Sequence, residues 1–182
     1  MLNRINKKAV LLKIFYGAIF GGILCLYIEK MDFNGNPFLL IFGVTLGLFA
    51  SLASTTFRVR KVVYAITGGF LSGSLLVLLN LLPCEASKDV ILYFMFPVYG
   101  LLTSVAIGYI DKHSKLLVDL IGAVAAGFVS FGLFVVGAMM AFSLSWKHPG
   151  IRWPHYLTSV IIGVIMLLGI GIGECYKNDT KK

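Results

Sequence analysis

Residues 116–142 read LLVDLIGAVAAGFVSFGLFVVGAMMAF, twenty-seven residues in which Asp119 is the one charged side chain. As a helix this stretch is about 40 Å long at 1.5 Å per residue, more than the roughly 30 Å of hydrocarbon in a bilayer. It therefore tilts, kinks or protrudes if it crosses a membrane. Five further apolar stretches flank it, at 9–28, 37–56, 62–82, 90–110 and 156–175. Each reaches the roughly 20 residues that a helical span requires. Backbone N–H and C=O groups in lipid must be satisfied internally, and the alternating pattern of a barrel strand is absent, so the stretches are expected to be helices.

Composition points the same way. Hydrophobic residues make up 58% of the 182-residue chain and charged residues 13%, about half the roughly 25% that solvates an ordinary globular domain. The expected fold is all-α: a single polytopic membrane bundle of six transmembrane helices covering 1–182. That expectation excludes disordered chains, disulfide frameworks and a separate soluble domain. Pro37, Pro83 and Pro154 lie at span ends, where a missing N–H does little harm. Tyr27, Tyr64, Tyr93, Tyr109, Tyr156, Tyr176, Trp146 and Trp153 also lie near ends, as amphipathic rings do at membrane interfaces. The first span follows Arg4, Lys7 and Lys8 but lacks a small-x-small cleavage site after its apolar run, so it is read as a retained helix.

Lysine and arginine set the orientation. Twelve of the sixteen fall on the side that carries both termini and four on the other. By the positive-inside rule both termini are cytoplasmic, in a multi-pass protein of the cell membrane. The net charge of +8 is dispersed over short loops and tails and forms no stripe, so no nucleic-acid partner is expected. Cys25 and Cys84 fall on the outer side, where a bridge between them is geometrically open, and Cys175 falls on the opposite side. Cysteines in such settings are mostly small buried hydrophobes.

Glycine spacing supplies a second pattern. In the even spans Gly43, Gly100 and Gly163 follow large residues and are followed eight residues later by Ser51, Gly108 and Gly171, with Gly47 and Ser104 midway in two of them. In the odd spans Gly17 and Gly21 match Gly69 and Gly73, and Gly122 with Ala126 repeats the spacing. The pattern reads as three tandem helical hairpins, or alternatively as the general abundance of glycine in membrane helices. Small residues four apart let backbones approach, so these glycines are expected at the bundle's seams. A glycine face left over would dock a partner or a second copy.

Candidate chemistry is sparse. No Asp, Glu, Lys, Arg or His lies near the middle of a span, which disfavours a carboxylate-driven transporter. Asp119, one turn inside the fifth span, pairs with Lys115 in the structural reading and gates or attracts cations in the functional one. Pro97 is the one proline well inside a span; it kinks the fourth helix and frees the Tyr93 carbonyl, which either a neighbouring helix satisfies or a cavity uses. In the outer loop 143–156, Trp146, Arg152 and Trp153 are either an interfacial anchor or a lid for an anionic or aromatic ligand. His148 and His155 have no metal-ligand spacing, no catalytic motif is found, and Ser72 is expected to bond its own helix backbone. Neither an enzyme activity, a cofactor nor a metal is expected.

The size, the six spans and the small-x3-small face at Gly17 and Gly21 resemble the plan of the substrate-capturing membrane subunits of energy-coupling-factor vitamin transporters. That resemblance implies a small-molecule ligand and a partner docked on the first helix. The family's usual alanines are glycines here, and no ligand-binding set carries over. The readings left open are a non-enzymatic module for membrane assembly or for permeation of a weakly charged small solute, a subunit of that transporter type, and a structural or stress-related tandem-hairpin protein. The lipid bilayer is the expected surrounding, with a membrane-protein partner, self-association or a small solute as the further partner.

Overall fold

The computed structural model describes residues 5–30, 36–81, 85–111, 116–147 and 153–176. Among these residues the protein is all-helical. Its helices are α1 (Lys7–Lys30), α2 (Asn36–Leu52), α3 (Val59–Asn80), α4 (Glu85–Asp111), α5 (Leu116–Lys147) and α6 (Trp153–Gly169), followed by a 3-10 turn at Ile172–Cys175. Three of them contain segments long and apolar enough to cross a membrane: Lys7–Leu26, Val59–Asn80 and Leu116–Met140. The apolar segments of the others, Asn36–Leu52, Tyr93–Tyr109 and Tyr156–Gly169, are shorter.

Most sequence-based boundaries shift by a few residues. Two shifts matter. The second span was expected to run to 56, but α2 ends at Leu52, and Ser54 lies in the link to α3. The sixth was expected to run to 175, but α6 ends at Gly169. Gly171 follows in the left-handed region at φ 99°, a conformation that a residue without Cβ adopts at little cost. The chain turns there instead of continuing along the α6 axis.

The helices form a ring in which α2 packs on α3, α3 on α4, α4 on α5, α5 on α6 and α6 on α1, while α1 and α2 meet only slightly. The expected tandem hairpins need correcting at the first pair: the close partner of α1 is α6, from the far end of the chain. Glycine explains the choice. A Cβ on Gly17 would lie 2.6 Å from the Val164 Cα, and one on Gly21 would meet the Ser159 and Val160 backbone. Gly163 faces both glycines across the same seam. In the α2/α3 seam Gly43 opposes Gly69, Gly47 opposes Ala65 and Gly73 opposes Leu39. The register descends on one helix as it rises on the other, so the pair is antiparallel. The other seams run the same way, with Gly100 on Ala123, Gly127 on Pro97 and Gly137 on Thr158. Backbones this close gain dispersion contacts over their whole length.

Large side chains fill the interior. Phe20, Phe38, Phe42, Phe96 and Tyr99 are buried together, with the Phe42 and Tyr99 rings 4.6 Å apart and those of Phe20 and Phe42 5.5 Å apart. The Tyr99 hydroxyl donates to the Leu39 carbonyl, which gives its polar tip a partner inside the core. The outside is also apolar: Leu11, Phe15, Leu78, Leu117, Ile121 and Met139 are all exposed. A helical protein with hydrophobic residues on both faces associates with a membrane, because water would penalise so large an apolar exterior.

Candidate functional site

All five close seams are antiparallel, so α1, α3 and α5 start at the same end of the bundle, where α2, α4 and α6 finish. Among the described residues, four acidic or basic side chains are buried at that end. Lys13 is two turns into α1, Lys61 lies in the first turn of α3, Asp119 lies in the first turn of α5, and Glu174 is carried by the 3-10 turn beyond α6. Lys13 and Lys61 are 1% and 0% exposed, which for lysine demands a partner.

Glu174 is that partner for both. Its Oε1 lies 2.9 Å from the Lys61 Nζ and its Oε2 lies 3.2 Å from the Lys13 Nζ. The Ser54 hydroxyl completes the arrangement, accepting from the Lys61 ammonium at 2.5 Å and donating to Glu174 Oε1 at 2.6 Å. Lys13 also donates to the Ile170 carbonyl at 3.3 Å, capping one of the carbonyls left open where α6 ends. On the other side of the turn, Asp119 Oδ1 accepts the Gly173 N–H at 2.6 Å. A carboxylate in the first turn of α5 also complements the positive end of that helix.

Burial opposes ionisation of Glu174, but the Lys13 and Lys61 ammonium groups, with hydrogen bonds from Ser54 and Lys61, more than offset it and hold the carboxyl well below its usual range. Two cations and two carboxylates leave the buried group close to neutral. The turn is fastened at its far end too, where the Asn6 N–H donates to the Cys175 carbonyl at 2.7 Å and Ile5 bridges to Tyr176. The segment after α6 thus folds across the end of the bundle and ties α1, α3 and α5 together.

The structure distributes the residues singled out from sequence as follows. Gly17, Gly21, Gly43, Gly47, Gly69, Gly73, Gly100 and Gly163 lie against backbone of a neighbouring helix. Gly122 faces Ile172 and the Gly169 carbonyl, while Gly108 faces the Leu116 side chain. Gly171 lies past the helix and beside the Lys13 ammonium. Pro97 sits inside α4 with Gly127 of α5 against its backbone. Asp119 is buried on Gly173; Lys115, its expected partner, lies outside the described residues. So do Cys84, His148 and Arg152. Trp146 falls in the last turn of α5 and Trp153 opens α6, so the outer loop is shorter than 143–156. Ser72 donates to the Gly68 carbonyl at 2.7 Å.

Sequence reasoning missed the central triad. In the sequence Lys13 interrupts the first apolar stretch, Lys61 directly precedes the third, and Glu174 stands at the end of the sixth. Their signal was complementary charge at the same end of three spans, visible only once the orientation of the spans is combined with it. Comparison with protein-family models, with curated proteins and with solved structures returns no match for this chain.

Proposed function

We propose that the protein is a non-enzymatic, six-pass module of the cytoplasmic membrane, with both termini inside, that serves membrane assembly through a rigid, self-locked bundle. The short helices are read as spans because each lies antiparallel along a long neighbour at backbone contact, which puts it at the same depth. The observation that carries the assembly reading is the closure of the bundle: an aromatic interior, five backbone-to-backbone seams, and a buried neutral charge group that fastens the C-terminal turn to α1 and α3. A bundle built this way is suited to acting as a fixed body against which lipids and other membrane proteins pack.

A second reading, permeation of a weakly charged small solute, is favoured by the Thr103, Ser104 and Ser130 hydroxyls, which are buried on α4 and α5 without hydrogen-bond partners among the described residues. Buried hydroxyls left open are the natural lining of a polar path. The transporter-subunit reading has less support, because the Gly17 and Gly21 face on which a partner would dock is occupied by α6.

Two measurements test the proposal. With Cys25, Cys84 and Cys175 replaced by serine, cysteines introduced at Asn34 and Lys182 should react with a membrane-impermeant maleimide in intact cells at Asn34 only; the opposite pattern overturns the orientation. Native mass spectrometry from mild detergent should then show protein neighbours or self-association without a retained solute. A stoichiometric small molecule other than a lipid would favour the second reading instead.

A further inference from the structure

Between α3 and α4 the outer surface carries a groove of about 340 Å3, lined by Tyr64, Thr67, Gly68 and Leu71 from α3 and by Leu102, Val105, Ala106 and Tyr109 from α4. Gly68 and Ala106 supply the floor, since a Cβ on Gly68 would stand 2.7 Å from that of Ala106. The groove is apolar along its length except at one end. There the Tyr64 and Tyr109 rings stack with centroids 6.4 Å apart. Both are exposed, and neither hydroxyl has a hydrogen-bond partner among the described residues. Arg60 lies four residues before Tyr64, hence one turn further along the same stripe of α3. It is exposed and makes no ion pair among the described residues.

We infer that this groove binds an anionic phospholipid of the cytoplasmic leaflet, with an acyl chain between α3 and α4 and the phosphate at Tyr64, Tyr109 and Arg60. From Leu71 to Tyr64 is seven residues, about 10 Å of helix, along which the lining is almost wholly hydrocarbon. The polar end follows in the order a phospholipid presents: ring hydroxyls where the glycerol and phosphate begin, then a guanidinium with paired donors for phosphate oxygens. Charge selects the class of lipid, because the neighbouring Arg60 guanidinium favours a net negative headgroup over a zwitterionic one. Basic pockets between helices on the cytoplasmic side commonly hold such headgroups. The assignment rests on the proposed orientation, which places the start of α3 and the end of α4 inside.

The groove between α4 and α5 is the internal comparison. It is of similar size, about 360 Å3, and is lined by Leu101, Leu120, Ile121, Val124 and Ala125, all aliphatic. It offers a chain nothing but hydrocarbon.

The test is native mass spectrometry of the full chain released from vesicles of equal palmitoyl-oleoyl phosphatidylglycerol and phosphatidylcholine. The wild type should retain one phosphatidylglycerol in preference. Arg60→Gln should lower that preference about fivefold, the effect of one surface cation. Val105→Trp, which fills the groove from an exposed position, should abolish retention of either lipid, and Thr67→Phe, which fills it from α3 with a smaller ring, should act likewise. Ala125→Trp, in the comparison groove, should leave retention unchanged. An unaltered preference in Arg60→Gln overturns the site, as does equal loss in Val105→Trp and Ala125→Trp. Maleimide labelling reads the orientation separately: if it places Arg60 outside while Arg60→Gln still loses its preference, the function reading fails, the leaflet changes and the lipid site stands.

Discussion

Glu174→Gln is the most informative substitution, because the two shapes match closely and only the charge is lost. In the folded protein Lys13 and Lys61 would keep their buried positions, 1% and 0% exposed, without the carboxylate that now lies 3.2 and 2.9 Å from them. Removing one member of a buried ion pair costs roughly 3–5 kcal/mol, chiefly because the remaining charge is stranded. Here two ammonium groups are stranded by one change. The Gln carbonyl can still accept from Lys61, which returns about 1 kcal/mol. We therefore expect a loss of about 3–5 kcal/mol, near 10 °C or more in melting temperature for a chain of this size.

The companion variant removes the whole group. Lys13→Met, Lys61→Met and Glu174→Leu together leave neither ammonium without its carboxylate, while Asp119 keeps the Gly173 N–H, and apolar replacements of buried ion pairs are often neutral or stabilising. The triple variant should therefore melt close to the wild type, well above Glu174→Gln. Both are measured by thermal denaturation in one mild detergent, followed by circular dichroism and by loss of the monodisperse peak. A Glu174→Gln protein within about 1 kcal/mol of wild type would mean that water reaches these side chains, and the reasoning from burial would fail. A triple variant less stable than the single one would show that the charges themselves, and not their mutual compensation, hold the end of the bundle.

Gly69→Ala should destabilise by about 1–3 kcal/mol, since its Cβ would collide with the Gly43 carbonyl and force α2 from α3; Gly22→Ala, where a Cβ meets nothing within 4 Å, should be neutral or stabilising by up to about 1 kcal/mol. The same detergent melts rank the two. Gly171→Ala should cost about 1–2 kcal/mol for placing a Cβ at φ 99°; that Cβ would also stand 2.8 Å from the Lys13 Nζ and press the ammonium away from Glu174, which adds to the loss. Asp119→Asn keeps an oxygen for the Gly173 N–H and should fold like wild type, whereas Asp119→Ala leaves that donor open and should lose about 1–3 kcal/mol. Unchanged assembly or solute passage in Asp119→Asn would end any gating role for its charge.

The helices were legible because an apolar run of some twenty residues has few alternatives. Their partners were less so. Gly17 and Gly21 announce a close approach, but spacing along one helix is silent about which helix arrives, and α6 is not the neighbour that chain order suggests. The end of α6 was hidden for a similar reason. Gly169, Gly171 and Gly173 sit among isoleucines, so hydropathy runs on to Cys175 although the backbone leaves the helix at Gly171. Once that turn is taken for helix, Glu174 becomes a charge at a span terminus and its place between two lysines disappears from view. The burial of Lys61 was hidden by the early end of α2, which frees Ser54 to reach both Lys61 and Glu174.

These oversights share a cause that also bears on how the fold is completed. The α1/α6 seam and the charge group both join the beginning of the chain to its end, so neither can form until α6 and the turn after it are in place. Before then, Lys13 and Lys61 face an incomplete end of the bundle, where water or headgroups can solvate them. Glu174 exchanges that solvation for an ion pair on each side, while Asp119 holds the turn by its backbone. The glycine seams fix how closely the helices approach, and the carboxylate at the C-terminal turn makes the ring's closed form electrically tolerable. A bundle lacking Glu174 would retain its seams and still have a reason to stay open at this end.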